Sequence, residues 1–102
     1  MDPKDDFVNF VQEKPAYYSI IKSRIIMGVL AFVSEGAKSI ADIYGRFSYV
    51  NEQDVDDVLN VLEQQLRLIQ KVKGTPKLIY YATDDAKILL EKYQKAKNYM
   101  LE

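Results

Sequence analysis

The stretch NEQDVDDVLNVLEQQLRLIQKVKGTPKLIYYATDDA, Asn51 to Ala86, changes its hydrophobic period twice, and that double change decides the fold. Val55, Val58, Leu59, Leu62 and Leu66 recur at i, i+3, i+4, i+7 and i+11, which is one face of an α-helix. Asn51 stands ready to cap that helix, and Asp54 sits in its first turn, where a carboxylate favours the helix dipole. After Leu66 the pattern becomes extended. Leu68, Ile69 and Val72 form one β run, Gly74-Thr75-Pro76 marks a turn, and Leu78 to Ala82 form a second run, so a hairpin is predicted. Thr83, with Asp84 and Asp85 behind it, restarts a helix by side-chain capping, and Ala86, Leu89, Leu90, Tyr93, Ala96 and Met100 carry an apolar stripe down it.

Upstream, Ser39 caps a short helix with Ile40, Ile43 and Tyr44 on one face, closed by Gly45 and followed by a link, Arg46 to Val50, that carries Phe47. From Tyr17 to Ser34, Ile20, Ile21, Ile25, Val29, Phe32 and Val33 keep helical spacing and predict one long buried helix, ended at Glu35-Gly36. Asp2, Pro3, Phe7, Phe10 and Val11, stopped by Pro15, predict a short amphipathic helix, either packed on the domain's own core or free as a partner-binding arm. The expected fold class is mainly α with a small β-hairpin: residues 1–15 a short N-terminal helix, and residues 16–102 one domain whose terminal helix, 84–101, is available for dimerisation.

Composition narrows the function classes. A chain of 102 residues with 48% hydrophobic content fills one core, and two domains are not expected. Cys and His are both absent, so disulfides, thiolate chemistry, His general bases and the usual zinc sites lose their residues, and neither metal nor cofactor is expected. Of the remaining carboxylates, Asp84-Asp85 is explained by capping, and Asp56 and Asp57 point about 100° apart on a helix rather than forming a pair. An enzyme is therefore not expected, and no small-molecule substrate is indicated. The apolar runs Ile25 to Val33 and Leu78 to Ala82 are far shorter than the roughly 20 residues of a bilayer span. The opening Asp2, Pro3, Lys4, Asp5, Asp6 is the reverse of a basic secretory start, so the expected location is cytoplasmic. A net charge of -1 gives no whole-molecule attraction to nucleic acid, which leaves the distribution of charge to decide.

The order helix, helix, helix, hairpin, helix resembles the winged helix-turn-helix of small prokaryotic and archaeal regulators, archaeal viral ones included, over roughly Tyr17 to Tyr93. Ile40-Ala41 stands where these proteins open their second helix with Leu-Ala, and Val55, Leu59 and Leu62 hold the core spacing of their recognition helix. Leu66-Arg67-Leu68-Ile69 resembles their Leu-Gly-Leu-Ile exit into the wing, and Tyr81-Ala82-Thr83-Asp84-Asp85-Ala86 their Tyr-x-Leu-Thr-x-x-Gly start of the terminal helix. Arg67 and Ala86 depart from the pattern, each standing where a Gly is usual.

The resemblance implies a double-stranded DNA partner and a role in transcription regulation, with the third helix in the major groove and the wing on the adjacent backbone. Lys71, Lys73 and Lys77 would then meet phosphate, and Asn51, Gln53, Asp56, Asp57 and Asn60 would face the groove. Against this, Asn51 to Glu63 holds five acidic residues and no Lys or Arg. The alternative is a protein-protein interaction module in which Glu52, Asp54, Asp56 and Asp57 dock on a basic protein surface without DNA. Lys87, Lys92, Lys95 and Lys97, with Glu91 among them, read as the solvated face of the last helix or as a second phosphate-tracking surface. The stripe through Leu90, Tyr93 and Met100 approximates a heptad seam for a homodimer. In the adjacent pairs Tyr17-Tyr18 and Tyr80-Tyr81, one ring is expected to face the core and the other solvent.

Overall fold

The computed structural model describes residues 2–73 and 78–101, the side chains of Met100 and Leu101 excepted. Helix α1, Pro3–Glu13, starts where the Asp2 carboxylate accepts the Asp5 amide at 2.8 Å, and Pro3 fills the first turn, where its missing N–H is no loss. The single helix expected from Tyr17 to Ser34 is instead two. Helices α2, Pro15–Ile21, and α3, Arg24–Ser34, meet at 101°. Ser23 makes the break: its backbone is extended and its hydroxyl accepts the Ile26 amide at 3.3 Å, so α3 begins afresh. Among the described residues no single helix is long and apolar enough to cross a membrane.

Ser39 caps α4, Ile40–Arg46, in a full capping box, its hydroxyl accepting the Asp42 amide while the Asp42 carboxylate accepts the Ser39 amide, both at 3.1 Å. Gly45 does not close this helix, which runs on to Arg46 before Phe47 ends it. Helix α5, Glu52–Asn60, is capped by Asn51, whose side-chain oxygen accepts the Gln53 amide at 2.7 Å. It widens into a π-helical turn, Val61–Gln65, and then reverses at Arg67, the one non-glycine described residue with positive φ, at 53°. Strands β1, Lys38–Ser39, β2, Ile69–Lys73, and β3, Leu78–Ala82, form an antiparallel sheet in the order β1-β3-β2. In this sheet Lys38 stands opposite Tyr80, and Gln70 opposite Tyr81. The hairpin is as expected. Strand β1 is not foreshadowed in the sequence, since two residues carry no alternation. The turn Gly74-Thr75-Pro76 lies outside the described residues.

Thr83 immediately precedes α6, Asp84–Leu101, and its hydroxyl reaches back to the exit of the widened turn. It donates to the carbonyls of Arg67 and Leu68, at 3.0 and 3.1 Å, and the Thr83 amide also donates to Leu68, at 3.0 Å. The exit of the widened turn and the start of α6 are thereby fastened together. Val29, Leu30 and Val33 of α3, Ile43 of α4, Val55, Leu59 and Leu62 of the third helix, Leu68, Ile69 and Tyr80 of the sheet and Leu89 of α6 form one buried cluster. Helix α1 folds along α6, with Phe7 edge-on to Tyr93 at 5.7 Å, Lys92 paired with Asp6 at 2.7 Å and Val11 buried, so the N-terminal segment packs on its own chain. In both tyrosine pairs the faces divide as expected: Tyr17 and Tyr80 are buried, Tyr18 and Tyr81 exposed.

Candidate nucleic-acid interface

Helix α5 owes its orientation to its apolar stripe. With Val55, Val58, Leu59 and Leu62 turned into the core, a period of about 100° per residue sends Gln53, Asp57 and Asn60 to the opposite, open side. Gln64 continues that row into the widened turn and is exposed as well. The centre of the open face is therefore three amides and one carboxylate, and Gln53 Nε2 donates to Asp57 Oδ1 at 3.0 Å, holding the two side by side. The five acidic residues of Asn51 to Glu63 do not act as one acidic surface. Asp56, half-buried, accepts the Tyr44 hydroxyl from α4 at 2.5 Å. Glu63, whose side chain is only 15% exposed, faces the wing and pairs with Lys71 at 3.5 Å.

The bond to Asp56 pushes the Tyr44 phenol up to about 12, with burial adding to the effect. A phenol whose folded value lies above its ordinary 10.0 stabilises the fold fully below pH 10 and loses that contribution as pH climbs through about 12. Tyr44→Phe should accordingly cost about 1 kcal/mol at neutral pH. The difference between variant and parent, followed by denaturant unfolding, should shrink between pH 10 and pH 12. A difference that stays constant across that range would show that the hydroxyl is not bound to Asp56.

The wing carries Lys71, 39% exposed on its side chain, and the exposed Lys73, both on β2; Lys77 lies outside the described residues. Tyr81, opposite Gln70 across the hairpin, donates its hydroxyl to Gln70 Oε1 at 2.6 Å. Between the widened turn and these strands an open cleft of about 380 Å³ is lined by Glu63, Gln64, Arg67, Gln70, Lys71 and Tyr81. Sequence reading missed Gln70 and Arg67 as site residues. The signal for Arg67 was its place where a Gly is usual; for Gln70 nothing local marked it.

Of the residues read as groove-facing, Gln53, Asp57 and Asn60 share the open face, Asn51 is engaged as the helix cap, and Asp56 is turned onto Tyr44. The set read for a basic protein partner is likewise divided: Glu52, Asp54 and Asp57 are exposed but spread around the helix, and Asp56 is occupied. On α6, Lys92 is taken by Asp6 and Lys95 by Glu91, leaving Lys87 and Lys97 exposed and without an ion pair among the described residues. Leu90 and Tyr93 of the heptad stripe line a groove with Met27 and Ala31 of α3, and Tyr93 also meets Phe7. The Met100 side chain lies outside the described residues.

No protein-family model matches this chain, and no related curated sequence matches it. Solved structures do. The reduced form of the transcriptional regulator YodB from B. subtilis matches with a TM-score of 0.74 at 19% identity, over 85% of this chain and 87% of that one. The S. aureus MepR-DNA complex matches with a TM-score of 0.69 at 14% identity, over 93% and 82%. The transcriptional regulator BldR from Sulfolobus solfataricus matches with a TM-score of 0.60 at 17% identity, over 94% and 75%. These likenesses establish the winged-helix fold that the residue patterns resembled.

Proposed function

We propose that the chain is a DNA-binding transcriptional regulator, with α5 in the major groove and the β2–β3 hairpin along the neighbouring backbone. The observation that carries this is the open face of α5. Gln53, Asn60 and Gln64 present the side-chain type that pairs with an adenine edge, while Asp56 and Glu63 are turned inward onto Tyr44 and Lys71. The objection raised by the acidic count thus weakens, because Asp56, which faces α4, repels phosphate less than a carboxylate facing the groove, and the charge of Glu63 is offset by Lys71. A fold neighbour solved with DNA supports the reading. Two subunits joined along α6 would set the spacing of two half-sites, and such a regulator would act in the cytoplasm.

The test is the salt dependence of duplex binding. Replacing Lys71, Lys73 and Lys77 by Ala should weaken binding to every sequence and flatten the slope of log K against log salt by about one unit for each lysine that no longer meets a phosphate. An unchanged slope removes the wing from the interface. Failure of the unmutated protein to bind duplex at low salt removes DNA as the partner.

A further inference from the structure

We propose that Arg67 grips a phosphate of the DNA backbone in the crease between the widened turn and the wing. The inference rests on the DNA-binding reading above and adds to it a phosphate grip that the hairpin lysines do not supply. Its starting point is backbone strain. Arg67 holds φ at 53°, where a Cβ is crowded and glycine is at ease. The neighbours impose that turn whichever residue occupies it: Leu68 donates its amide to Leu62 at 2.8 Å, and the Arg67 and Leu68 carbonyls both accept the Thr83 hydroxyl. Nothing in the fold asks for an arginine there. The side chain is exposed, belongs to no buried cluster and has no ion pair among the described residues. A residue that strains the backbone and contributes nothing to the core is explained by what its guanidinium meets.

What surrounds it is suited to an oxyanion. The cleft that Arg67 lines also holds Lys71, Gln64, Gln70 and Tyr81. Tyr81 donates to Gln70 Oε1, which leaves the Gln70 amino group free to donate into the cleft. The one carboxylate on the lining, Glu63, is paired with Lys71, so it holds that second cation in place and the guanidinium remains the unpaired charge. A planar guanidinium binds two oxygens of one phosphate at once, which an ammonium does not. The cleft shares Gln64 with the open row of α5 and Lys71 with the wing, the two surfaces proposed above to meet DNA.

Two variants, Arg67→Gly and Arg67→Lys, test this by thermal unfolding and by duplex titration at several salt concentrations. Arg67→Gly should raise Tm by roughly 2–6 °C, because it relieves the left-handed turn. At the same time it should weaken binding to any duplex by roughly three- to tenfold near 0.1 M salt and flatten the salt slope by about one unit. Arg67→Lys should keep most of the slope, lose part of the affinity and gain no Tm. Gain of stability with loss of affinity is the signature, since a merely structural arginine would move both the same way. If Arg67→Gly binds as tightly and with the same slope as a DNA-binding parent, the phosphate grip is absent and only this inference falls. If Arg67→Gly lowers Tm, the premise of strain is wrong. If the parent binds no duplex at all, the DNA reading fails and takes this inference with it.

Discussion

Leu62→Ala is expected to lower stability by about 3 kcal/mol and Tm by roughly 12–20 °C. Leu62 is fully buried and sits in the widened turn that joins α5 to the wing, and its carbonyl accepts the Leu68 amide at 2.8 Å. The backbone on either side is tied down, through Leu68 and Thr83 on one side and the buried Leu59 on the other, so the site cannot collapse to fill the space. A cavity lined by core residues is the costly kind of large-to-small change. Val61→Ala, at the half-buried neighbouring position, supplies the control and should cost less than half as much. Equal costs at the two positions, measured by denaturant unfolding, would show that the turn is not wedged between helix and sheet as described.

That same turn separates what was legible in the sequence from what was not. Capping residues with periodic neighbours announced themselves: Asp2, Ser39 and Asn51 each start a helix, because their side chains accept amides only two to three residues on. Ser23 does the same yet is hidden in the sequence, since Ile20, Ile21 and Ile25 keep an apolar period across the break and conceal it. Strand β1 is the opposite case, two residues recruited by β3 through pairing that no local pattern encodes. The departure at Arg67 was visible as the wrong residue for a bend, and the structure makes the bend in the usual left-handed way despite it. Counting charge along the third helix does not by itself describe its surface, because a count carries no direction. Asp56 and Glu63 are half-buried against partners twelve and eight residues away, Tyr44 and Lys71, which belong to other elements.

Orientation also changes which side chains are candidates for reading bases. Asn51 has spent its oxygen on the Gln53 amide and Asp56 on Tyr44, whereas Asn60 sits exposed at the middle of the open face, one turn and three residues respectively from Gln64 and Asp57. Such amides give affinity only where both arms find a partner on the base edge, so their contribution is invisible on random sequence. Affinity and discrimination should therefore separate: the lysines of β2 and Arg67 act on every duplex, while the α5 amides act on one.

The amides of α5 should accordingly decide sequence preference. Selection from a random duplex library against the unmutated protein is expected to enrich sites containing adenine at the positions under α5, since Asn and Gln pair bidentately with its N6 and N7. Gln53→Ala and Asn60→Ala should then each cost about 1–3 kcal/mol on the selected site, roughly 5- to 150-fold in Kd, and almost nothing on unrelated duplex. Stability should barely move, because both side chains are exposed and the apolar face of the helix is untouched. The two positions lie seven residues apart on one face, so on the selected site their effects should add to within about 0.5 kcal/mol. Losses of equal size on selected and random duplex would mean that α5 contributes affinity without reading bases. A selection that enriches nothing would leave the wing and Arg67 as the whole interface and make this a protein that binds DNA by its backbone.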